Sequence, residues 1–159
     1  MIHNVMQFFS QEWFEKEVST CILTNDPECE FTPNYLIEQQ LTYFCGSAPE
    51  CRTLGNYQAL NVAKYNAEKY YSVIGITEQM RISLAVLEKY LPKFFSGFLS
   101  LYGGLHHFRK ANDKVGSNKQ PLNQEAKQKL KECLQLDLDF YHFAMQRLHK
   151  QAQLLGIFD

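Results

Sequence analysis

The stretch Asn56–Pro92, NYQALNVAKYNAEKYYSVIGITEQMRISLAVLEKYLP, decides the fold class of this 159-residue chain. Asn56 suits a helix N-cap, because its side-chain oxygen can accept a backbone N–H that has no partner within the helix. Behind it Ala59, Leu60, Ala63, Ala67 and Tyr70 recur at the spacing of one helical face. Ser72–Ile76 is short, β-branched and apolar, which predicts a buried strand. Thr77 is expected to cap a second helix with an apolar stripe of Met80, Leu84, Leu87 and Leu91. Pro92, with φ preset and no N–H to satisfy, suits the first turn of a further helix. A lone strand can satisfy neither its backbone groups nor both its faces, and helix, strand, helix is the unit of a parallel sheet. The expected class is therefore α/β, mostly helical in this chain with one or two short strands, and with partner strands supplied from outside it.

Working outward, the helix from Pro92 is expected to bury Phe94, Phe95, Phe98 and Leu101 and to stop at Gly103 and Gly104. A polar loop, Leu105–Leu122, follows. A long helix is then expected after Asn123, with Leu130, Leu134, Leu138, Tyr141, Met145, Leu148, Ala152 and Leu155 on one face and Gly156 as its terminator. Upstream, residues 8–18 read as a helix with Trp13, Phe14 and Val18 as apolar members. Cys21–Asn56 reads mostly as loop, punctuated by Pro27, Pro33, Pro49 and Gly55, with at most a short strand at Leu41–Phe44.

Four of the five cysteines bracket short loops, Cys21 to Cys29 and Cys45 to Cys51. Turn formers fill both: Thr24, Asn25, Asp26 and Pro27 in the first, Gly46, Ser47, Ala48 and Pro49 in the second. Two disulfides are expected, each contributing roughly 2–3 kcal/mol by restricting the unfolded chain, and an oxidising compartment with them. The rival reading is a zinc site, but structural zinc favours ligand pairs two to four residues apart, and the intervening residues here number seven and five. Free thiols are the third alternative. Cys133 lies within a helical pattern and is expected to be a buried free thiol.

The net charge of −1 does not advertise a nucleic-acid partner. Twelve Phe and nine Tyr suffice for a core. No apolar run is long enough to span a membrane, and Met1–Ser10 lacks the basic flank and apolar stretch of a secretory signal. Extracellular-type cysteines without an entry signal lead to the expectation that the natural N-terminus lies upstream.

The ordered runs Tyr43-Phe44-Cys45-Gly46, Glu50-Cys51, Ala63-Lys64-Tyr65-Asn66, Gly75-Ile76-Thr77-Glu78 and Leu91-Pro92-Lys93-Phe94-Phe95 closely resemble the uronyl 2-O-sulfotransferases of glycosaminoglycans. That family includes the heparan sulfate and the dermatan/chondroitin enzymes, and Thr24–Cys29 looks more like the latter branch. The resemblance spans roughly Thr20 to Gly156 and matches only the C-terminal part of such enzymes. It implies that residues 1–159 are the C-terminal part of a single P-loop-type sulfotransferase domain whose phosphate-loop part is absent. It further implies a Golgi-lumenal glycoprotein, a type II membrane protein when full length through an anchor outside this chain. A homo-oligomer, a trimer, is implied as well.

The implied reaction moves a sulfo group from 3′-phosphoadenosine 5′-phosphosulfate (PAPS), without a metal, to the 2-hydroxyl of a hexuronic acid in heparan or dermatan/chondroitin sulfate. Such transfer needs backbone N–H groups and a cation around the phosphosulfate, a base for the sugar hydroxyl, and cations for the 3′-phosphate and the polyanionic acceptor. No glycine-rich loop with Lys or Arg opens a helix here, and the family's histidine base has no counterpart, so no catalytic residue is assigned. Gly75-Ile76-Thr77 is a weak substitute, and reads as an ordinary connection.

By resemblance, Tyr102 and Lys114 match nucleotide-contacting residues, and His106 and Ala111 stand where the family can place hydroxyl residues at the cofactor. Arg109 and Lys110 fall in the acceptor-binding stretch, reached across a two-residue gap. Taken alone, the basic set Arg109, Lys110, Lys114 and Lys119 reads as a solvated loop. His142 and His149 are two helical turns apart, too far for a shared metal, and read as surface or satisfied helix residues. His106 and His107, being adjacent, chelate no better. Phe140, Tyr141 and Phe143 form a wide aromatic group whose edge could serve a subunit contact.

Three functions are in view: the sulfotransferase part just described, inactive alone; a noncatalytic fragment that binds glycosaminoglycan or pairs with the full-length enzyme; and a small metal-binding module using the cysteines.

Overall fold

The computed structural model describes residues 16–26, 29, 40–53, 55–104 and 121–158. Among the described residues all regular structure is helical: α1 (Val18–Leu23), α2 (Gln40–Cys45), α3 (Tyr57–Tyr70), α4 (Met80–Tyr90), α5 (Pro92–Phe95), α6 (Gln124–Cys133) and α7 (Gln135–Leu154). Short 3-10 turns occupy Pro49–Arg52 and Thr77–Gln79, and a helical segment covers 98–104. The chain forms two compact units, Met1–Ile37 with Asn118–Leu134, and Glu38–Ser117 with Gln135–Asp159.

In the first unit α1 packs on α6. Glu17 caps α1, its carboxylate accepting Ser19 N–H at 3.0 Å and Thr20 N–H at 2.6 Å. Those bonds, Thr20 foremost, hold the Glu17 carboxyl down at about 2. The helix ends in a left-handed residue, Asn25 (φ 53°), a conformation asparagine tolerates better than most side chains. Lys129 of α6 closes that end, donating to Ile22 O at 2.8 Å and Asn25 Oδ1 at 2.6 Å. Asn123 caps α6 through Ala126 N–H (2.8 Å), and its own N–H reaches Ser19 Oγ (3.1 Å). The disulfide Cys21–Cys29, with Cα atoms 5.7 Å apart, closes the first loop.

The second unit is built around α3 and α7. Ala59, Ala63 and Ala67 form an i, i+4, i+8 row with no bulk, so α2 and α7 close onto α3. Leu41, Cys45, Leu60, Leu136 and Phe140 fill that core. A second cluster, Ile76, Val86, Ala144, Leu148 and Ala152, lies between α4 and α7. Asn56 caps α3 as expected, accepting Gln58 N–H at 2.9 Å. Gly156 (φ 66°) ends α7 with Ile157 N–H bound to Ala152 O at 2.9 Å and Gly156 N–H to Gln153 O at 3.1 Å, a Schellman closure.

Several expectations are corrected. Ser72–Ile76 pairs with no strand among the described residues, and side chains take backbone groups at its two ends. Arg147 Nη2 and Gln151 Nε2 donate to the carbonyls of Tyr71 and Ser72 respectively, and Ser83 Oγ accepts Ile76 N–H at 2.8 Å. Leu41–Phe44 is helical, with Leu41 and Cys45 facing inward one turn apart. Thr77 opens a 3-10 turn, and α4 begins at Met80, its buried residues being Ser83, Leu84 and Val86 rather than the whole expected stripe. The helix from Pro92 breaks at Ser96 and Gly97 (φ 84°), which leaves Phe94 71%, Phe98 44% and Leu101 57% exposed instead of buried. Gly103 and Gly104 remain helical. The long C-terminal helix is two helices, interrupted at Leu134 (φ −103°, ψ 20°). Phe140 belongs wholly to the core at 1% exposure, while Tyr141 and Phe143 of the same aromatic group stay partly exposed. Cys133 is a free thiol, half-buried rather than buried. Trp13, Phe14 and residues 105–120 lie outside the described residues.

Candidate functional site

Of the residues assigned to donor and acceptor, the described structure contains Tyr102; His106, Arg109, Lys110, Ala111 and Lys114 lie outside it. Tyr102 sits half-buried on the helical segment 98–104. That segment is held from outside: Glu88 of α4 accepts Leu99 N–H at 2.9 Å, satisfying one of the donors a helix start leaves unpaired. Sequence reading did not assign Glu88 a role, and no local pattern marks a cap supplied eleven residues away.

Opposite chemistry gathers where α2 meets the end of α3. Tyr43, Phe44, Gly46, Asn66, Tyr70 and Tyr71 line an open cleft of about 440 Å³. The Cys45–Cys51 disulfide, with Cα atoms 5.5 Å apart, fixes one wall. Asn66 Nδ2 donates to Phe44 O (2.9 Å) and Cys45 O (3.1 Å), satisfying carbonyls at the end of α2. Phe44 packs on Tyr71 (5.0 Å between centroids) and on Phe140 (4.5 Å), tying the cleft to the core. Lys69 stands at the rim, its Nζ 5.1 Å from the Tyr65 ring centre and 5.0 Å from that of Tyr70, and donating to Tyr65 Oη at 2.8 Å. The Tyr65 and Tyr70 hydroxyls hold the ammonium above its ordinary value. The i, i+4 pairs Tyr65–Lys69 and Asn66–Tyr70 were visible as spacing, but pairing with α2 was not.

Burial, the largest influence, pushes the Asp137 carboxyl up, although Leu41 N–H at 3.0 Å and the Gln40 N–H act the other way. Burial, reinforced by the Glu78 charge, likewise raises the Tyr141 phenol, whose hydroxyl donates to Glu78 Oε2 at 3.4 Å. His149 Nε2 is bonded to Gln79 Oε1 at 2.6 Å, and His142 is exposed against Tyr141. The four paired cysteines are spent in disulfides, which removes them as zinc ligands. Among the described residues no cluster of His, Cys, Asp and Glu could hold a metal, and no helix is long and apolar enough to cross a membrane.

No family model matches the chain. Curated relatives do match it, and their class is sulfotransferase. The chain is 34% identical over 141 residues to the uronyl 2-sulfotransferase of Mus musculus, covering 89% of this chain and 34% of that protein. It is 33% identical to the Homo sapiens uronyl 2-sulfotransferase with the same coverage. To heparan sulfate 2-O-sulfotransferase 1 of Gallus gallus it is 32% identical over 135 residues, 84% of this chain and 36% of that protein. The chain is thus similar to the uronyl and heparan sulfate 2-O-sulfotransferases along most of its own length, and spans about a third of the length of these relatives.

Proposed function

We propose that this chain is the C-terminal part of a sulfotransferase domain that transfers a sulfo group from PAPS to the 2-hydroxyl of hexuronic acid in heparan or dermatan/chondroitin sulfate. The observation that carries this reading is the kinship to 2-sulfotransferases along nearly the whole chain. Two short disulfides are in keeping with the lumen of the Golgi. A membrane anchor outside this chain and a trimeric assembly belong to the same proposal, resting on the kinship alone.

In this role the chain's own residues bind and orient. Tyr102, set by Glu88, contacts the nucleotide, with His106, Ala111 and Lys114 completing that side. Arg109 and Lys110 meet the acceptor's sulfate or carboxylate. PAPS, when bound, supplies the activated sulfo group. The sequence offers neither a glycine-rich phosphate cradle nor an assigned base, and loss of a single such electrostatic donor costs on the order of 10²–10³ in rate. The chain by itself is therefore expected to be inactive. Its noncatalytic alternative, a glycan-binding or enzyme-pairing fragment, predicts weak, salt-sensitive binding of heparin or dermatan sulfate and no donor-dependent transfer.

Sequencing the 5′ end of the transcript is the first test. Coding sequence that continues upstream into a phosphate loop and an anchor supports the proposal; a transcript starting at Met1 favours the alternative. Binding of 3′-phosphoadenosine 5′-phosphate to the chain separates the two readings, and sulfate transfer by the chain alone would refute its inactivity.

A further inference from the structure

The geometry points to the cleft between α2 and the end of α3 as a glycan-binding groove, in which Tyr43, Tyr70 and Tyr71 stack against sugar rings while Lys69 holds an anionic substituent. The occupant is a stretch of sulfated glycosaminoglycan; only this naming of the polymer rests on the function proposed above.

The first argument is the exposure of the lining. Tyr43 is 66%, Tyr70 65% and Tyr71 41% exposed around one cleft of about 440 Å³, a size within the range of ligand sites. Tyrosine offers a flat apolar face and a hydroxyl at small conformational cost. A pyranose is its complement, with C–H faces that pack on rings and hydroxyl edges that take hydrogen bonds. Among the described residues the lining contains no Leu, Ile, Val or Met, so it lacks the aliphatic surface that a buried subunit contact draws on.

The second argument is rigidity. The Cys45–Cys51 disulfide, the Asn66 amide on two carbonyls and the Phe44–Phe140 packing fix the wall before any ligand arrives. Binding to such a wall loses little ordering entropy.

The third argument is charge. Among the described residues none that lines the cleft is acidic, and Glu68, next to Lys69 in sequence, does not line it. Lys69 stands at the Tyr70 rim. A cation beside a cleft whose described lining holds no acid complements a carboxylate or sulfate rather than a neutral sugar.

The test is calorimetric titration of the oxidised full chain with a heparan sulfate octasaccharide, with maltohexaose as neutral control and 3′-phosphoadenosine 5′-phosphate as donor-side control. Tyr70→Ala, at an exposed ring, is expected to weaken octasaccharide binding about tenfold. Lys69→Gln is expected to weaken it severalfold and to flatten its salt dependence, and circular dichroism should show both variants folded. Maltohexaose should bind more weakly than the octasaccharide. Equal octasaccharide affinity in wild type and both variants overturns the groove while leaving the family reading intact. Absence of nucleotide binding with the groove effects retained overturns the donor-contact part of the proposed function instead. Maltohexaose binding as tightly as the octasaccharide overturns the anionic assignment. A concentration-dependent dimer in sedimentation, abolished by Tyr70→Ala, assigns the cleft to a second copy of the chain.

Discussion

Asp137, in the first turn of α7, accepts the backbone N–H of Leu41 at 3.0 Å across 96 residues of sequence. One carboxylate thereby caps the start of α2 from a distant helix. Burial nevertheless raises its carboxyl above the usual range. A carboxyl whose folded value exceeds its unfolded one binds more protons folded, so stability falls as pH rises between the two values. Asp137→Asn keeps an oxygen acceptor and removes the charge. Its unfolding free energy, measured by urea denaturation from pH 3 upward, is expected to gain on wild type through that window and to stay level above it.

Asn66 closes the other end of α2 through Phe44 O and Cys45 O. Asn66→Ala leaves two carbonyls without that donor and is expected to cost about 1–3 kcal/mol. Thermal unfolding of the oxidised chain measures it. A change within 0.5 kcal/mol would mean that solvent replaces the amide.

The Cys45–Cys51 bridge closes a loop of seven residues, and the chain-entropy model assigns such a loop roughly 2–3 kcal/mol. Cys45→Ala with Cys51→Ala should therefore lower the stability of the second unit by that amount. Both cysteines are buried beside Leu41 and Ala59, so loss of packing adds to the effect. Denaturation with and without reductant provides the check, since reduction opens two bridges in the wild type and only Cys21–Cys29 in the double variant.

Ser83 is fully buried, and its hydroxyl accepts Ile76 N–H at 2.8 Å while lying 3.0 Å from Gln79 O. Ser83→Ala orphans the Ile76 N–H and is expected to cost about 1–3 kcal/mol. Hydrogen exchange at Ile76 should speed up more than at Leu148, which serves as a core reference.

Glu88 positions the segment that carries Tyr102. Glu88→Ala is expected to weaken 3′-phosphoadenosine 5′-phosphate binding about fivefold, the equivalent of a cap worth ~1 kcal/mol. Glu88→Gln, which can still accept Leu99 N–H, should restore most of that affinity. A purely structural role would lower the melting temperature without moving the affinity, and without rescue by glutamine.

The sequence by itself determined the helices whose caps and apolar rows are local. Asn56 and Asn123 start α3 and α6, Gly156 ends α7, and Ala59, Ala63 and Ala67 face the core, because a helix and its caps are written within a few neighbouring residues. It also determined the cysteine pairs, whose short turn-rich loops bring the sulfurs together, and the likeness to uronyl 2-sulfotransferases along most of the chain. Tertiary structure decided the rest. Ser72–Ile76 has the composition of a strand, yet Arg147, Gln151 and Ser83 take its backbone groups, and those partners lie up to 79 residues away. The apolar residues from Phe94 to Leu101 look like core, but the left-handed turn at Gly97 turns several of them to solvent. The aromatic cleft needed the disulfide-closed end of α2 to meet the last turn of α3, a juxtaposition that packing creates and local spacing does not encode.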